Sequence, residues 1–316
     1  MIGSGGERTV SFERGDLCDL QGLDRDAMSR LLDRAGELRE LDRAEASTIA
    51  PGREVVQLFL EASTRTKISF EIAAKRLGAT VIDFEADASS LSKGETLLDT
   101  VKTIEAMGTD VLVVRNREEG TAERLATQCR GAVINGGDGT RAHPTQGLLD
   151  LLTLRDEFSD LSGRQIGIVG DLRHSRVAGS DIEAFRTSGA KVVLISPESL
   201  RRHGIPDDVG ETEDFDDALS SLDAVVMLRV QRERISVDLA IDTDEYVERY
   251  QLNSARLARL PAHAIVLHPG PMNRGVEIES SVADGPRSRI LDQVANGVAV
   301  RMAVLEHAFQ RGTAGR

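Results

Sequence analysis

The chain has 316 residues and a formal net charge of -13 at pH 7, with 3% aromatic residues and no Trp. This length predicts about two domains, each large enough to bury a core of Leu, Val, Ile and Ala. The acidic balance argues against nucleic acid or an anionic membrane as partner, because both need a concentrated basic face.

Helical and extended patterns alternate along the first half. Residues 24–41 and 64–77 place apolar side chains on one helical face, and Gly78 is a suitable C-cap for the second helix. Short β-branched runs occupy 55–60, 80–84, 111–115 and 132–134. Such alternation predicts βαβ units and a parallel sheet.

The second half repeats this scheme. An apolar helix is expected over 145–154, and the boundary between two α/β halves lies within it or just after it. Further strands are expected at 165–169, 191–196, 224–230 and 264–268, and a last amphipathic helix over 287–310. No stretch approaches the ~20 apolar residues that span a bilayer. Cys18 and Cys129 have neither metal-ligand spacing nor a disulfide framework, which fits a protein of the reducing cytoplasm. We expect neither a metal nor a cofactor.

Polar residues follow several of the apolar runs. Ser63-Thr64-Arg65-Thr66 comes after the run 55–60 and opens a predicted helix. Unsatisfied N–H groups and the helix dipole favour an anion there, and a guanidinium can bind its oxygens bidentately. An ordinary capped surface helix is the alternative for this motif taken alone.

Four further motifs lie at or near the ends of apolar segments: His143-Pro144-Thr145-Gln146, Asp171 to Arg176, Arg229-Val230-Gln231 and His268-Pro269-Gly270-Pro271. In this order, the five motifs resemble the catalytic chains of the aspartate carbamoyltransferase family, from about residue 14 to the last helix. The resemblance implies two Rossmann-like domains, each a parallel sheet flanked by helices, joined by two interdomain helices. Residues 1–150, with helix 287–310 packing back on them, would bind carbamoyl phosphate, and residues 151–286 would bind aspartate.

The resemblance also implies how carbamoyl phosphate binds. Its phosphate would contact Ser63, Thr64, Arg65, Thr66 and Arg115, and Gln146 would read the carbamoyl amide. His143, with Arg65 and Thr66, would polarise the carbonyl oxygen. We interpret His143 as a neutral donor rather than a base, because nearby arginines disfavour the charged imidazole. For a histidine before proline taken alone, a structural or surface role is the alternative.

The second substrate can also be inferred. A dicarboxylate substrate needs a separate cationic or amide side chain to bind each of its two carboxylates. Ornithine instead needs a carboxylate side chain to bind its distal ammonium group. The resemblance assigns the α-carboxylate of aspartate to Arg176 and its side-chain carboxylate to Arg229 and Gln231. It adds Lys93, Gly270 and Pro271 as further aspartate contacts. The His-Pro-Cys-Gln, Ser-Met-Gly and His-Cys-Leu-Pro segments typical of ornithine carbamoyltransferases are absent. A merely charged loop at 229–234 is the alternative.

The polar segment 89–95 reads as a solvated loop on composition alone. In the resembling family, the matching loop enters the active site of a neighbouring subunit, which implies that Lys93 and either Ser89 or Ser90 contact the phosphate in trans. A homotrimer with shared active sites follows. The sequence leaves open whether trimers assemble further with a regulatory chain or a dihydroorotase.

The family resemblance implies that the protein transfers the carbamoyl group from carbamoyl phosphate to L-aspartate, without a covalent intermediate. This reaction is the committed step of pyrimidine synthesis. A dinucleotide-dependent oxidoreductase is an alternative, suggested by the glycines of 165–170, but the Gly-x-Gly-x-x-Gly pattern is missing. A non-catalytic assembly subunit with the same fold is another.

Overall fold

The chain forms two compact units, each built around its own parallel sheet. The computed structural model describes residues 10–85, 89–231 and 242–311, without the side chains of Ser90 and Ser92. The first unit comprises the described residues of Met1–Thr145 and Asn296–Arg316, and the second comprises those of Gln146–Ala295.

The first unit contains a four-stranded sheet with strand order β2-β1-β3-β4. All its pairings are parallel, as the alternation of strands and helices predicts. Its strands are β1 (Glu54–Phe59), β2 (Thr80–Asp83), β3 (Val111–Asn116) and β4 (Ala132–Asp138). Its helices are α1 (Arg25–Glu40), α2 (Arg43–Ala46), α3 (Thr64–Arg76), α4 (Leu97–Ala106) and α5 (Thr121–Ala126), with short 3-10 turns at Phe12–Arg14 and Ser90–Lys93.

The second unit contains a five-stranded parallel sheet with strand order β7-β6-β5-β8-β9. Its strands are β5 (Gln165–Val169), β6 (Lys191–Ile195), β7 (Gly210–Thr212), β8 (Ala224–Met227) and β9 (Ile265–Leu267). Its helices are α7 (Arg176–Thr187), α8 (Phe215–Ala218), α9 (Thr243–Tyr250), α10 (Ser254–Arg259) and α11 (Ser280–Ala283), with 3-10 turns at Glu198–Leu200 and Leu219–Ser221.

Two helices, α6 (Pro144–Phe158) and α12 (Ile290–Arg311), carry the chain from one unit into the other. The described ranges contain no helix long and apolar enough to cross a membrane.

The helices bury the faces that their periodicity predicts. In α1 the apolar positions Met28, Leu31, Leu32 and Leu38 are buried, and the N-cap Asp24 accepts a hydrogen bond from the backbone of the first turn. Helix α3 ends before Gly78, whose φ of 86° is the left-handed conformation of a C-cap.

Several strand boundaries in the structure differ from the predicted ones. Strand β4 runs four residues beyond the expected 132–134, through Gly136 and Gly137, because its pairing with β3 continues past an irregularity near Asn116. Strand β8 ends at Met227, three residues before the predicted end. Strand β7 was not predicted at all, since its three residues Gly-Glu-Thr carry no apolar pattern. These differences leave the polar motifs at the carboxyl ends of the strands.

Candidate active site

The Ser-Thr-Arg-Thr motif lies at the start of α3, after the carboxyl end of β1. Ser63 occupies the N-cap position with an extended backbone, and its side chain makes no capping hydrogen bond. Arg65 is exposed in the first turn, whereas Thr66 is buried. The first-turn N–H groups of α3 and the positive end of its dipole therefore lie beside an exposed guanidinium, an arrangement that suits a phosphate.

His143 lies against this helix start. Its Nε2 is 3.3 Å from Thr66 Oγ1, and both side chains are buried. His143 follows β4, and the next residue, Pro144, opens α6. The parallel sheet thus brings together two motifs that are 77 residues apart in the chain.

Arg115 is the second guanidinium predicted for this site, and it is the next-to-last residue of β3, which neighbours β1. Its Nη1 donates to the carbonyl oxygen of Gly136 at 3.1 Å, and its Nη2 is 2.7 Å from Glu61 Oε1. The two side chains are 14% and 6% exposed. Sequence reasoning missed Glu61, because an acidic residue two positions before an anion-binding motif would be expected to weaken the binding of an anion there. In the structure, Glu61 orients the Arg115 guanidinium.

The segment expected to act in trans forms a short 3-10 turn rather than an irregular loop. The Ser89 hydroxyl accepts a hydrogen bond from the Leu91 N–H at 3.3 Å, and the Lys93 side chain is exposed. The side chain of Ser90 lies outside the described residues, so the choice between Ser89 and Ser90 stays a prediction.

In the second unit, the loops after the neighbouring strands β5 and β8 hold the residues predicted to bind aspartate. Arg176 is buried as the first residue of α7, and Arg229 is partly buried after β8. The backbone N–H of Gln231 donates to Asp171 Oδ2 at 3.3 Å, and its side-chain Nε2 donates to the carbonyl oxygen of His174 at 2.9 Å. These bonds tie the two loops together.

Asp171 is the buried centre of this arrangement. Its Oδ1 lies 2.9 Å from His174 Nδ1, while its Oδ2 accepts from the Gln231 backbone. The motif Asp171 to Arg176 is visible in the sequence, but the cross-strand role of Asp171 depends on β5 and β8 being neighbours. Only the tertiary fold supplies that neighbour.

Gln146 begins the second unit and is fixed by Asp150, one turn later in α6. Its Nε2 donates to the two carboxylate oxygens at 3.0 and 3.1 Å. Because the amide nitrogen is engaged, the amide oxygen is the group left to accept a hydrogen bond from a ligand.

The His-Pro-Gly-Pro motif forms a turn after β9. The backbone N–H of Gly270 donates to His268 Nδ1 at 2.9 Å, so the ring proton is on Nε2, which lies 3.2 Å from Glu277 Oε1. Gly270 has a φ of 65° and is followed by a cis peptide to Pro271. Glycine meets the conformational requirement of this turn without strain.

Packing explains the glycines that suggested a dinucleotide site. A Cβ at Gly167 would lie 2.8 Å from Leu222 Cδ1, and one at Gly170, with its φ of 126°, would lie 2.8 Å from the carbonyl oxygen of Leu228. Both glycines are needed for close approach within the second unit, so they do not require a bound cofactor.

Comparison with known proteins matches almost the whole chain to one family. Residues 15–156 match the carbamoyl-P binding domain of aspartate/ornithine carbamoyltransferases, and residues 162–308 match the Asp/Orn binding domain of the same family. The chain belongs to the aspartate/ornithine carbamoyltransferase family.

Individual carbamoyltransferases resemble this chain over most of its length. The aspartate carbamoyltransferase catalytic subunit of Acidothermus cellulolyticus is 52% identical over 286 residues, which cover 90% of this chain and 88% of that one. The aspartate transcarbamoylase of Trypanosoma cruzi, solved with carbamoyl aspartate and phosphate, is 30% identical with a TM-score of 0.84, covering 92% and 95% of the two chains. The catalytic subunit of M. jannaschii aspartate transcarbamoylase is 31% identical with a TM-score of 0.81, covering 96% and 100%.

The residues predicted for each substrate fall within the two matched carbamoyltransferase domains. The carbamoyl-P binding domain contains all those predicted to contact carbamoyl phosphate, from Ser63 to Gln146, and also Lys93. The Asp/Orn binding domain contains Arg176, Arg229 and Gln231 together with the turn at Gly270. The predicted fold of two parallel α/β sheets is confirmed by this family membership and by the structural neighbours.

Proposed function

We propose that the protein transfers the carbamoyl group of carbamoyl phosphate to the α-amine of L-aspartate, giving N-carbamoyl-L-aspartate and phosphate. This is the committed step of de novo pyrimidine synthesis. The observation that carries the proposal is the match along 90% of the chain to aspartate carbamoyltransferase catalytic subunits at about half identity.

Carbamoyl phosphate is bound by the start of α3 and by Arg115. The backbone and hydroxyls of Ser63, Thr64 and Thr66, with Arg65 and Arg115, hold the phosphate. The position of Arg115 supports this role, because β3 neighbours β1, which leads into α3, and because Glu61 and Gly136 orient the guanidinium. The domain that binds carbamoyl phosphate comprises residues 1–150 with helix 287–310, and the aspartate-binding domain comprises residues 151–286.

The carbonyl of carbamoyl phosphate is activated by hydrogen bonding. His143, Thr66 and Arg65 donate to the carbonyl oxygen, which gains negative charge as the amine attacks. The contact between Thr66 Oγ1 and His143 Nε2 supports this grouping. Gln146 accepts from the carbamoyl NH₂ through its Oε1, since its Nε2 is held by Asp150.

Aspartate binds through its two carboxylates. Arg176 holds the α-carboxylate, and Arg229 with Gln231 holds the side-chain carboxylate, with further contacts from Lys93, Gly270 and Pro271. The burial of Arg176 at the start of α7 supports this role, because helix dipole and guanidinium both favour an anion at that point.

The reaction proceeds by direct attack. The aspartate nitrogen forms a bond to the carbamoyl carbon, the bond from that carbon to the phosphate oxygen breaks, and the departing phosphate takes the proton that the amine loses. The residues assigned above stabilise charge and orient the substrates, and none of them forms a covalent bond.

The active form is a cytoplasmic homotrimer in which Lys93 and Ser89 or Ser90 reach the site of the neighbouring subunit. An exposed apolar surface on the first unit supports an interface: Ile68 and Ile72 of α3 and Ile82 of β2 are 49%, 38% and 43% exposed.

Carbamoyl transfer by the purified chain, with L-aspartate and L-ornithine compared at equal concentration, tests the proposal. We expect ureido product from aspartate alone. Arg176→Met should raise the KM for aspartate at least tenfold, whereas Arg173→Met, which changes an exposed arginine of the same segment, should leave it unchanged. Turnover with ornithine instead, or equal effects of the two variants, would refute the aspartate assignment.

A further inference from the structure

The loop after β8 carries Arg229 and Gln231 on either side of Val230. One planar peptide unit joins Val230 to Gln231, and its carbonyl and N–H groups point in opposite directions. Strand β8 lies between β5 and β9 in the sheet of the second unit. The loops that follow these two neighbouring strands therefore flank this peptide unit.

The N–H end of the peptide unit is bound from the loop after β5. The Gln231 N–H donates to Asp171 Oδ2 at 3.3 Å. The other oxygen of this buried carboxylate, Oδ1, accepts a hydrogen bond from the backbone N–H of His174 at 3.1 Å. Asp171 is thus held within its own loop while it binds the neighbouring one.

The carbonyl end of the same peptide unit is bound from the turn after β9. Asn273 Nδ2 donates to the Val230 carbonyl oxygen at 3.2 Å, from 43 residues further along the chain. Val230 lies beyond the end of β8, so a side-chain amide supplies the donor where the pairing of the sheet has ended. The Val230–Gln231 peptide unit is therefore held at both ends.

Buried groups fix the position of Asn273. Oε1 of Glu277 accepts a hydrogen bond from the Asn273 backbone N–H and lies 3.2 Å from His268 Nε2. The side chains of His268 and Glu277 are both 0% exposed. The backbone N–H of His268 donates to Gln293 Oε1 at 2.8 Å, which ties this group to α12. Asn273 is consequently held by the core of the second unit and not only by an exposed turn.

The two hydrogen bonds restrict the backbone that carries the predicted aspartate contacts. Rotation of a peptide unit changes ψ of the residue before it and φ of the residue after it, here Val230 and Gln231. The direction of the Gln231 side chain relative to Arg229 depends on these angles. A rotation would break the bond to Asn273 and the bond to Asp171 together.

We propose that Asn273 is a positioning residue for aspartate recognition, which acts through the Val230–Gln231 peptide unit to aim Gln231, beside Arg229, at the side-chain carboxylate. Glu277 supports it by binding the Asn273 backbone. This inference rests on the proposed function and deepens it, because it names a residue that sets the preference for a dicarboxylate. A side chain that is already aimed loses less conformational freedom when the substrate binds.

The proposal separates the ligands of the reaction. Arg176 is assigned to the α-carboxylate and the first unit to the phosphate, and neither depends on Asn273. Loss of the Asn273 side chain should therefore weaken aspartate and succinate, a dicarboxylate without an amine, by the same factor. The affinity for inorganic phosphate should not change.

The test measures the KM for aspartate, the inhibition constant of succinate and the dissociation constant of phosphate. Asn273→Ala keeps the backbone N–H that binds Glu277 and removes only the donor to Val230. It should raise the first two constants about three- to tenfold, the effect of one neutral hydrogen bond, with kcat within about twofold of the wild type. Arg274→Ala is the control, because it alters an exposed side chain of the same turn, and it should leave all three constants within about twofold.

A double variant distinguishes positioning from a general loss of structure. If Asn273 acts through Gln231, adding Asn273→Ala to Gln231→Leu should raise the KM for aspartate by at most about twofold more. Effects that multiply in full would overturn the inference. Equal constants in Asn273→Ala and Arg274→Ala would also overturn it.

A second variant covers the case in which Asn273→Ala does not fold. Asn273→Asp has nearly the same shape but places an acceptor against the Val230 carbonyl, so the KM for aspartate should rise roughly 10- to 100-fold with phosphate affinity unchanged. A KM within twofold of the wild type would overturn the inference. Failure of the proposed function would look different, because the wild type itself would then show no carbamoyl transfer to aspartate.

Discussion

Replacing Arg115 by lysine should separate the phosphate-binding role of its guanidinium from its positive charge. The guanidinium has five N–H donors, and the structure assigns one arm to Gly136 and another to Glu61. An ammonium has three donors at a single point. It cannot satisfy the carbonyl, the carboxylate and a phosphate together.

The expected loss of phosphate affinity in Arg115→Lys follows from this donor geometry. At least one charge-assisted hydrogen bond is lost, worth about 1.5–3 kcal/mol. Since 1.4 kcal/mol corresponds to a tenfold change in affinity, phosphate should bind roughly 10- to 150-fold more weakly. If the ammonium turns to the phosphate instead, Glu61, which is 6% exposed, loses its cation, and the free energy of unfolding should fall by about 1–3 kcal/mol.

The dissociation constant of inorganic phosphate, measured by calorimetry, is the direct assay, because it needs neither aspartate nor turnover. Arg117→Lys is the matched control: Arg117 is 82% exposed and lies 3.9 Å from the same Glu61 carboxylate. It should change phosphate affinity less than twofold, as expected for an exposed pair. Phosphate affinity in Arg115→Lys within twofold of the wild type, in a protein of unchanged melting temperature, would refute the reasoning.

Four further outcomes are expected. His143→Ala should lower kcat at saturating substrates by about 100-fold, as for loss of one oxyanion donor; a change below threefold would contradict the donor role. Gln231→Leu should raise the KM for aspartate by roughly tenfold without changing phosphate affinity, because it removes one hydrogen bond to a carboxylate. Ile72→Lys should dissociate the oligomer in sedimentation velocity, whereas Met107→Lys, at a 76% exposed position, should not; identical sedimentation would exclude that surface as the interface. Burial and the charge of the neighbouring Asp150 raise the pKa of Asp181 in the folded state, so its stabilising contribution is complete below the ordinary value of about 3.9 and is lost as pH rises toward the folded value. The melting temperature of Asp181→Asn minus that of the wild type should therefore increase as pH rises above about 4. A difference that stays constant with pH would argue against a raised pKa.

The sequence by itself determined the fold class and the order of the elements. Apolar periodicity and turn residues act over a few positions, so α1, α3 and every strand except β7 could be predicted within a few residues. The motifs at the strand ends were equally visible, because parallel strands place such residues at one edge of a sheet. The resemblance of these motifs to a family then gave the substrates, which periodicity cannot supply.

The tertiary structure alone decided which groups support the predicted contact residues. Glu61 meets Arg115 because β1 and β3 are neighbours, and Asp171 meets Gln231 because β5 and β8 are. Gln293 reaches Asp150 from 143 residues away. Each pairing depends on strand order and helix packing, which are set by the burial of the whole core rather than by local sequence. A pattern of nearby residues carries no signal for partners brought together in this way.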